Sequence, residues 1–339
     1  MDDHALTIEP IAIHGRGPAG LTAARLLARS GIEARLIGGA PAGGPVLLLN
    51  PGTCRLLCEL WDLRVADLPA RHRLAYRAVH PPAPEPPALV EQHGLVVDGA
   101  ALAAFLDDRL AAMHPGVARE DEPDAAPVGW RLLASGRALG DGAAAAEARV
   151  ERIGRAVCAA VEVAPGEGFR DDRAVFEAVP GGWLFLLPLG PERALLQAQR
   201  EAPAPGEDPV AADLAHSRAV AAVIGDMAGA PARVFEAMPR LARPTAGPGW
   251  LAIGDAAMGL PPVTGDGVGN GLRTAILAAA VLRALRRGEP TEAVLAHYDS
   301  RLVQAFDAVT RRTGHSDAPP PGDAARPTYT LRGLDLVRS

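Results

Sequence analysis

Apolar residues recur along this chain with two periods, and the switches between them predict its elements. Ile8 to His14 run apolar, as a buried strand does, and Pro18 to Ser30 then place Leu21, Ala24, Leu27 and Ala28 on one helical face. Gly31 supplies the left-handed stop for that helix. Glu33 to Ile37 give a second strand, which completes a β-α-β unit. After a glycine- and proline-rich loop, Gly38 to Pro45, the stretch Asn50 to Leu60 reads as a helix with Asn50 as N-cap and Pro51 at its first position. Ala100 to Met113 is an amphipathic helix, and Trp130–Ala134 and Ala148–Val150 are weaker strand candidates.

The middle of the chain changes period. Arg155–Val163, Ala174–Ala178, Gly182–Leu189 and Ala194–Ala198 read as strands, with the last two paired antiparallel around Gly190-Pro191-Glu192-Arg193. A helix is expected from Val210 to Met227, and two closing helices from Gly269 to Arg287 and Thr291 to Arg312. The proline-rich stretches His80–Pro87 and Ala202–Pro209 are expected to be irregular connectors. The tail from Ser316 is expected to be irregular as well. With α/β material at both ends and antiparallel strands between, the fold expected is α/β: a discontinuous Rossmann-like nucleotide-binding domain with an inserted antiparallel β-sheet substrate domain. The boundaries read as 1–78, 95–155 and 244–315 for the first, 156–243 with 79–94 for the second, and 316–339 for the tail.

Composition narrows the function. A length of 339 residues allows about two domains. A formal net charge of −6 offers no basic footprint for nucleic acid. The acidic start MDDHALTIEP lacks the features of a signal peptide, and no apolar run reaches the roughly 20 residues of a bilayer span, so a cytoplasmic protein without membrane contact is expected. Cys54, Cys58 and Cys158 form no metal or redox motif; Cys54 and Cys58 are read as small buried side chains on one helical face. His72, His80 and His93 read as solvated loop residues, and no metal site is expected. All 34 basic residues are arginine, so chemistry that needs a lysine amine is excluded.

Two glycine-rich turns carry the chemistry. Gly15-Arg16-Gly17-Pro18-Ala19-Gly20 fits G-x-G-x-x-G between a strand and a helix. Gly15 permits the tight turn, Gly17 lets backbone approach a pyrophosphate, and Gly20 lets the helix pack on the strand. The acid that usually binds the ribose about 20 residues later is replaced by Gly38-Gly39, and Glu33 should point elsewhere. Its loss should weaken dinucleotide binding by about 1.5–3 kcal/mol. The second turn, GDAAMGLPPVTGDGVGNGL, begins at Gly254-Asp255.

Together the two turns resemble the FAD-dependent monooxygenase superfamily with the p-hydroxybenzoate hydroxylase fold. That resemblance implies an extended FAD supported along its length by Gly15, Gly17, Pro18, Ala19, Gly20, Gly254, Asp255, Pro262, Gly265, Gly267, Val268, Gly269 and Asn270. It places Asp255 at the ribityl and diphosphate region, and the turn after Pro261 and Pro262 beside the isoalloxazine ring. The next helix then aims its N-terminus at the pyrimidine edge. The bland alternative makes Asp255 and Asp266 simple helix caps. Two departures stand out: Gly269 sits where asparagine is frequent, with Asn270 one later, and the middle flavin motif has only Asp141-Gly142 as a remnant.

The segment GGWLFLLPLGPERALLQAQ is similar to the tryptophan-halogenase-like branch. The halogenase W-x-W-x-I-P appears only as Trp183 to Pro188, and the active-site lysine of those enzymes has no counterpart. The same branch contains flavoproteins that oxidise a tryptophan inside another protein to mature a tryptophylquinone cofactor. The function implied is an FAD-dependent monooxygenase hydroxylating an electron-rich ring, an indole or a tryptophan of a partner polypeptide. Trp183 then backs the substrate, and Thr264 and Asp266 lie nearest the flavin as candidate catalytic residues. NAD(P)H or a separate reductase would donate electrons. The alternatives are a flavin-binding maturation or interaction protein with little catalysis, and a flavin-dependent reductase or dehydrogenase.

Overall fold

A computed structural model describes residues 9–39, 43–82, 84–121, 129–137, 148–201, 208–225, 227, 232–314, 329–332 and 335–338. The first half of the chain gives β1 (Ile11–His14), α1 (Pro18–Arg29), β2 (Ala34–Ile37), β3 (Val46–Leu49), α2 (Pro51–Trp61), β4 (Ala70–His80), β5 (Ala88–Asp98), α3 (Gly99–Met113), β6 (Ala118–Glu120), β7 (Trp130–Leu133) and β8 (Arg149–Arg152). The second half gives β9 (Ala156–Val163), β10 (Arg173–Val179), β11 (Gly182–Gly190), β12 (Arg193–Glu201), α4 (Pro209–Leu214), β13 (Arg233–Glu236), β14 (Arg240–Arg243), β15 (Ala246–Gly247), β16 (Trp250–Ala252), β17 (Met258–Gly259), α5 (Gly267–Arg286), α6 (Thr291–Arg312), β18 (Tyr329–Arg332) and β19 (Asp335–Arg338).

Two sheets organise these elements. The first has the order β15-β16-β7-β1-β2-β6, with β16, β7, β1, β2 and β6 parallel. Both ends of the chain meet in it, because β16 lies beside β7 and β7 beside β1. Its strands are buried on both faces, as Ile13, Leu132 and Leu251 show on one and Ala12, Trp250 and Ala252 on the other, which is why they read as short continuous apolar runs. The second sheet has eight strands in the order β13-β9-β12-β11-β10-β4-β5-β3, antiparallel except where β10 meets β4. β3, β4 and β5 therefore join the second sheet although they come from the first hundred residues. A small third sheet, β17-β14-β8, lies between these segments in sequence.

Several expectations change. The helix expected over Val210–Met227 stops at Leu214. The Glu177 carboxylate on β10 accepts hydrogen bonds from the Ser217 hydroxyl (2.6 Å) and from the backbone N–H groups of Arg218 (2.7 Å), Ala219 (3.1 Å) and Val220 (2.9 Å). Those donors are taken from any helical ladder. His72, His80 and His93 lie on or at the end of β4 and β5 rather than in loops; His72 Nε2 sits 2.6 Å from the Asp171 carbonyl oxygen. The tail is not wholly irregular, because β18 and β19 pair antiparallel and the Leu336 side chain is buried beside α5. α5 itself is long and apolar enough to cross a membrane, yet most of it is buried inside the protein as a core helix. The Asp141-Gly142 remnant lies outside the described residues.

Candidate functional site

The two glycine turns face one cleft. The first follows β1 and opens into α1, with Gly17 as N-cap and proline at the helix start. Gly15 has φ +122°, and a Cβ there would lie 2.7 Å from the Ala134 carbonyl carbon. A Cβ on Gly20 would collide with the Gly15 carbonyl oxygen. Gly15 and Gly20 thus close the turn on itself. Gly17 differs: its φ of −79° suits any residue, and a Cβ there would meet nothing within 4 Å. The bare backbone at Gly17 faces open space.

The second turn starts where β16 ends. Gly254 takes φ +59° and its N–H donates to the Thr274 hydroxyl at 2.8 Å. α5 then begins at Gly267, where an added Cβ also meets nothing within 4 Å. Cβ atoms on Gly254 and on Gly271 would each come to 3.2 Å from the Ala19 Cβ, so α1 and α5 start side by side. Gly17, Pro18, Ala19, Gly254, Asp255, Gly267 and Val268 line this half of the cleft, together with Gly43, Gly44 and Gly99, around a cavity of about 310 Å³. Two helix N-termini on one cavity make it favourable to a diphosphate. At the end of β2 the Gly38 N–H donates to the Glu120 carbonyl oxygen at 2.8 Å, and Asp255 is the one carboxylate among the described residues lining this half.

The second half continues from it through Pro45, Leu47, Asp255, Gly267 and Val268 and holds about 250 Å³. One wall is the Pro261–Gly267 turn. The opposite wall is a face of the eight-stranded sheet carrying Arg77, Phe176, Trp183, Phe185, Gln197 and Phe235. These side chains share a face through register: Phe176 opposes Phe185, Phe185 opposes Gln197, and Trp183 stands two residues from Phe185. The Phe176 and Trp183 rings lie 5.9 Å apart and tilted by 36°, a favourable aromatic geometry.

The charged groups are largely engaged. Asp255 Oδ2 lies 3.6 Å from Arg137 Nε, and the Asp255 carbonyl oxygen accepts from Arg240 Nη2 at 2.8 Å. Burial pushes the Asp255 carboxyl above the ordinary aspartate value, against the pull of Arg137 and Arg240. Asp255 therefore faces the cleft from a short 3-10 turn and is not a helix cap. Asp266 does not cap α5 through its side chain either. Its carboxylate pairs with Arg273 and accepts a bond from the Thr53 hydroxyl at 3.4 Å. The Thr264 hydroxyl donates to the Pro261 carbonyl oxygen at 2.8 Å. Burial pushes the Cys54 thiol up to about 11 and the Cys158 thiol up to about 12, so neither is a nucleophile near neutral pH.

Of the residues singled out in the sequence, Gly17, Pro18, Ala19, Gly254, Asp255, Pro262, Thr264, Gly265, Asp266, Gly267, Val268 and Trp183 line the cleft. Gly15, Gly20, Gly269 and Asn270 support it from behind. Asn270 is buried, and its amide donates to the Met258 carbonyl oxygen at 2.9 Å. The sequence reading missed Arg77, Arg137, Phe176, Phe185, Gln197 and Phe235. Phe185 alone carried a usable signal, the period of two that it shares with Trp183.

No family model and no curated protein matches this sequence. Solved structures do. The peptidyl tryptophan dihydroxylase QhpG, essential for tryptophylquinone cofactor biogenesis, superposes with a TM-score of 0.77 at 21% identity, covering 97% of this chain and 86% of its own. The flavin-dependent halogenase CmlS gives 0.74 at 17% identity over 89% of this chain and 63% of its own. The p-nitrophenol 4-monooxygenase PnpA from Pseudomonas putida gives 0.68 at 17% identity over 91% and 88%. By architecture, the chain has the fold of the flavin-dependent monooxygenases and halogenases.

Proposed function

We propose that this protein is an FAD-dependent monooxygenase that hydroxylates an electron-rich aromatic ring, an indole or a tryptophan within a partner polypeptide. One observation carries the reading: a cavity at two helix N-termini opens directly into a second one walled by Phe176, Trp183 and Phe185. The bare positions Gly17 and Gly267 fit the cofactor, since added side chains there would protrude into the cavity and touch nothing else.

When bound, FAD supplies the redox chemistry, passing two electrons to oxygen so that one oxygen atom enters the ring as hydroxyl and the other leaves as water. The chain binds, orients and excludes water. The α1 and α5 N-termini would hold the negative charge of the cofactor. Asp255 would accept from its ribityl hydroxyls, with Arg137 beside the carboxylate to keep it in place. The aromatic wall holds the substrate ring and keeps solvent from it. Asp266 is the candidate proton handler or substrate contact; its pairing with Arg273 and Thr53 fixes its position. Thr264 shapes the turn beside the ring. NAD(P)H or a separate reductase donates the electrons. The likeness to QhpG supports a polypeptide tryptophan as a substrate to test.

The glycines at the end of β2 favour a second reading, a flavin-binding maturation protein with little turnover, because the ribose lacks its usual acid there. Oxygen uptake decides between them. Protein supplied with FAD, a reductant and an indole or tryptophan peptide should consume oxygen and yield product heavier by oxygen. Saturable FAD binding without substrate-dependent uptake selects the second reading, and turnover without oxygen selects a reductase.

A further inference from the structure

Arg77 is a cation on the cavity wall with no acidic partner among the described residues. It sits on β4 opposite Ala174 of β10, a small residue over which its side chain reaches the Phe185 ring of β11. The guanidinium carbon lies 5.6 Å from that ring's centroid, and Arg77 Nε is buried without a hydrogen-bond partner. Burial lowers its pKa with no carboxylate opposing the shift, but a guanidinium stays charged. The other cations and acids around the cavity are engaged with one another: Arg137 with Asp255, and Asp266 with Arg273. A half-buried cation on a cavity wall, with no acidic partner among the described residues, calls for an anion from outside the chain.

We propose that Arg77 binds a carboxylate carried by the aromatic substrate, so that the substrates are indole acids or indoles with an acidic group beside the ring. This rests on the cavity walled by Phe176, Trp183 and Phe185 being the substrate site. The planar fork of arginine suits a carboxylate, and the Phe185 ring lies 5.6 Å from its guanidinium carbon. Arg77 is thus a specificity-determining residue. The same carboxylate chemistry is met by a free indole acid and by a glutamate next to tryptophan in a polypeptide.

Calorimetric titration tests this with indoleacetate against skatole, its uncharged analogue, and with blocked Trp-Glu against Trp-Gln peptides. Each is titrated into the full-length protein with and without FAD. The acid of a pair should bind about tenfold more tightly than its neutral partner. Preference in the small pair identifies a free acid, and preference in the peptide pair identifies a polypeptide carboxylate. Arg77→Met, which keeps the stem on Phe185, should abolish the preference while skatole affinity changes by less than about twofold; Arg77→Lys should restore part of it. Equal affinity for acid and neutral ligands in the unaltered protein, or equal loss of both in Arg77→Met, overturns the proposal. Failure to bind FAD with the acid preference intact sinks only the cofactor reading. FAD binding without any preference sinks only the role of Arg77.

Discussion

Gly271 packs directly against Ala19: a Cβ added to Gly271 would lie 3.2 Å from the Ala19 Cβ. This contact brings the starts of α1 and α5, some 250 residues apart in sequence, to the same cavity. Under the proposed function, one extended ligand would take backbone support from both turns. Gly271→Val should push the helices apart. Overpacking of this kind costs about 1–3 kcal/mol. Chemical denaturation should show that loss, together with weaker FAD binding.

Glu177 anchors the segment after α4 to the sheet. Burial pushes its carboxyl up, but hydrogen bonds from Ser217, Val220, Arg218 and Ala219 outweigh burial and hold it below its ordinary value. A depressed acid contributes stability that is present above its unfolded value and lost as pH falls through the folded one. Glu177→Gln should therefore cost about 2–3 kcal/mol at neutral pH. Denaturation midpoints of the two proteins should converge in acid.

Asp255 behaves in the opposite sense. Its folded value is raised, so its contribution is complete below the unfolded value and is lost as pH rises through the folded one. Asp255→Asn should raise the Tm of flavin-free protein near neutral pH, on the order of a few degrees. The gain should vanish in acid. FAD affinity should fall in the same variant, since a ribityl contact is weakened.

Trp183 stands against Phe176 on the sheet wall of its cavity, across from the Pro261–Gly267 turn. Trp183→Ala should raise KM for an indole substrate about tenfold, equivalent to about 1.4 kcal/mol. Trp183→Phe should recover much of it, and FAD binding should be the same in all three proteins.

The parts of this molecule legible in its sequence are those set by local rules. Gly15 and Gly20 mark a turn whose geometry admits no side chain, Asn50 caps α2 through the Thr53 N–H at 2.9 Å, and Gly190 to Arg193 close the β11–β12 pair. The parts that were not legible depend on distant residues. The segment after α4 has the apolar pattern of a helix, but Glu177, some forty positions earlier, takes the N–H groups of Arg218, Ala219 and Val220 instead. β4, ARHRLAYRAVH, alternates poorly because much of it is only half-buried, so neither the strand nor Arg77 on it stood out. The aromatic wall is assembled by register across β4, β10, β11 and β12, which a single sequence does not encode locally.

The most direct test of the central claim is an FAD titration, followed by visible absorbance, of the unaltered protein and of Gly17→Val. Gly17 has an ordinary φ and open space around it, so the valine protein should fold with stability within about 0.5 kcal/mol of the parent. The account predicts a saturable flavin spectrum for the parent and an affinity reduced at least about tenfold for the variant, since its side chain fills the diphosphate space. No saturable binding by the parent, or equal binding by both proteins, would contradict it.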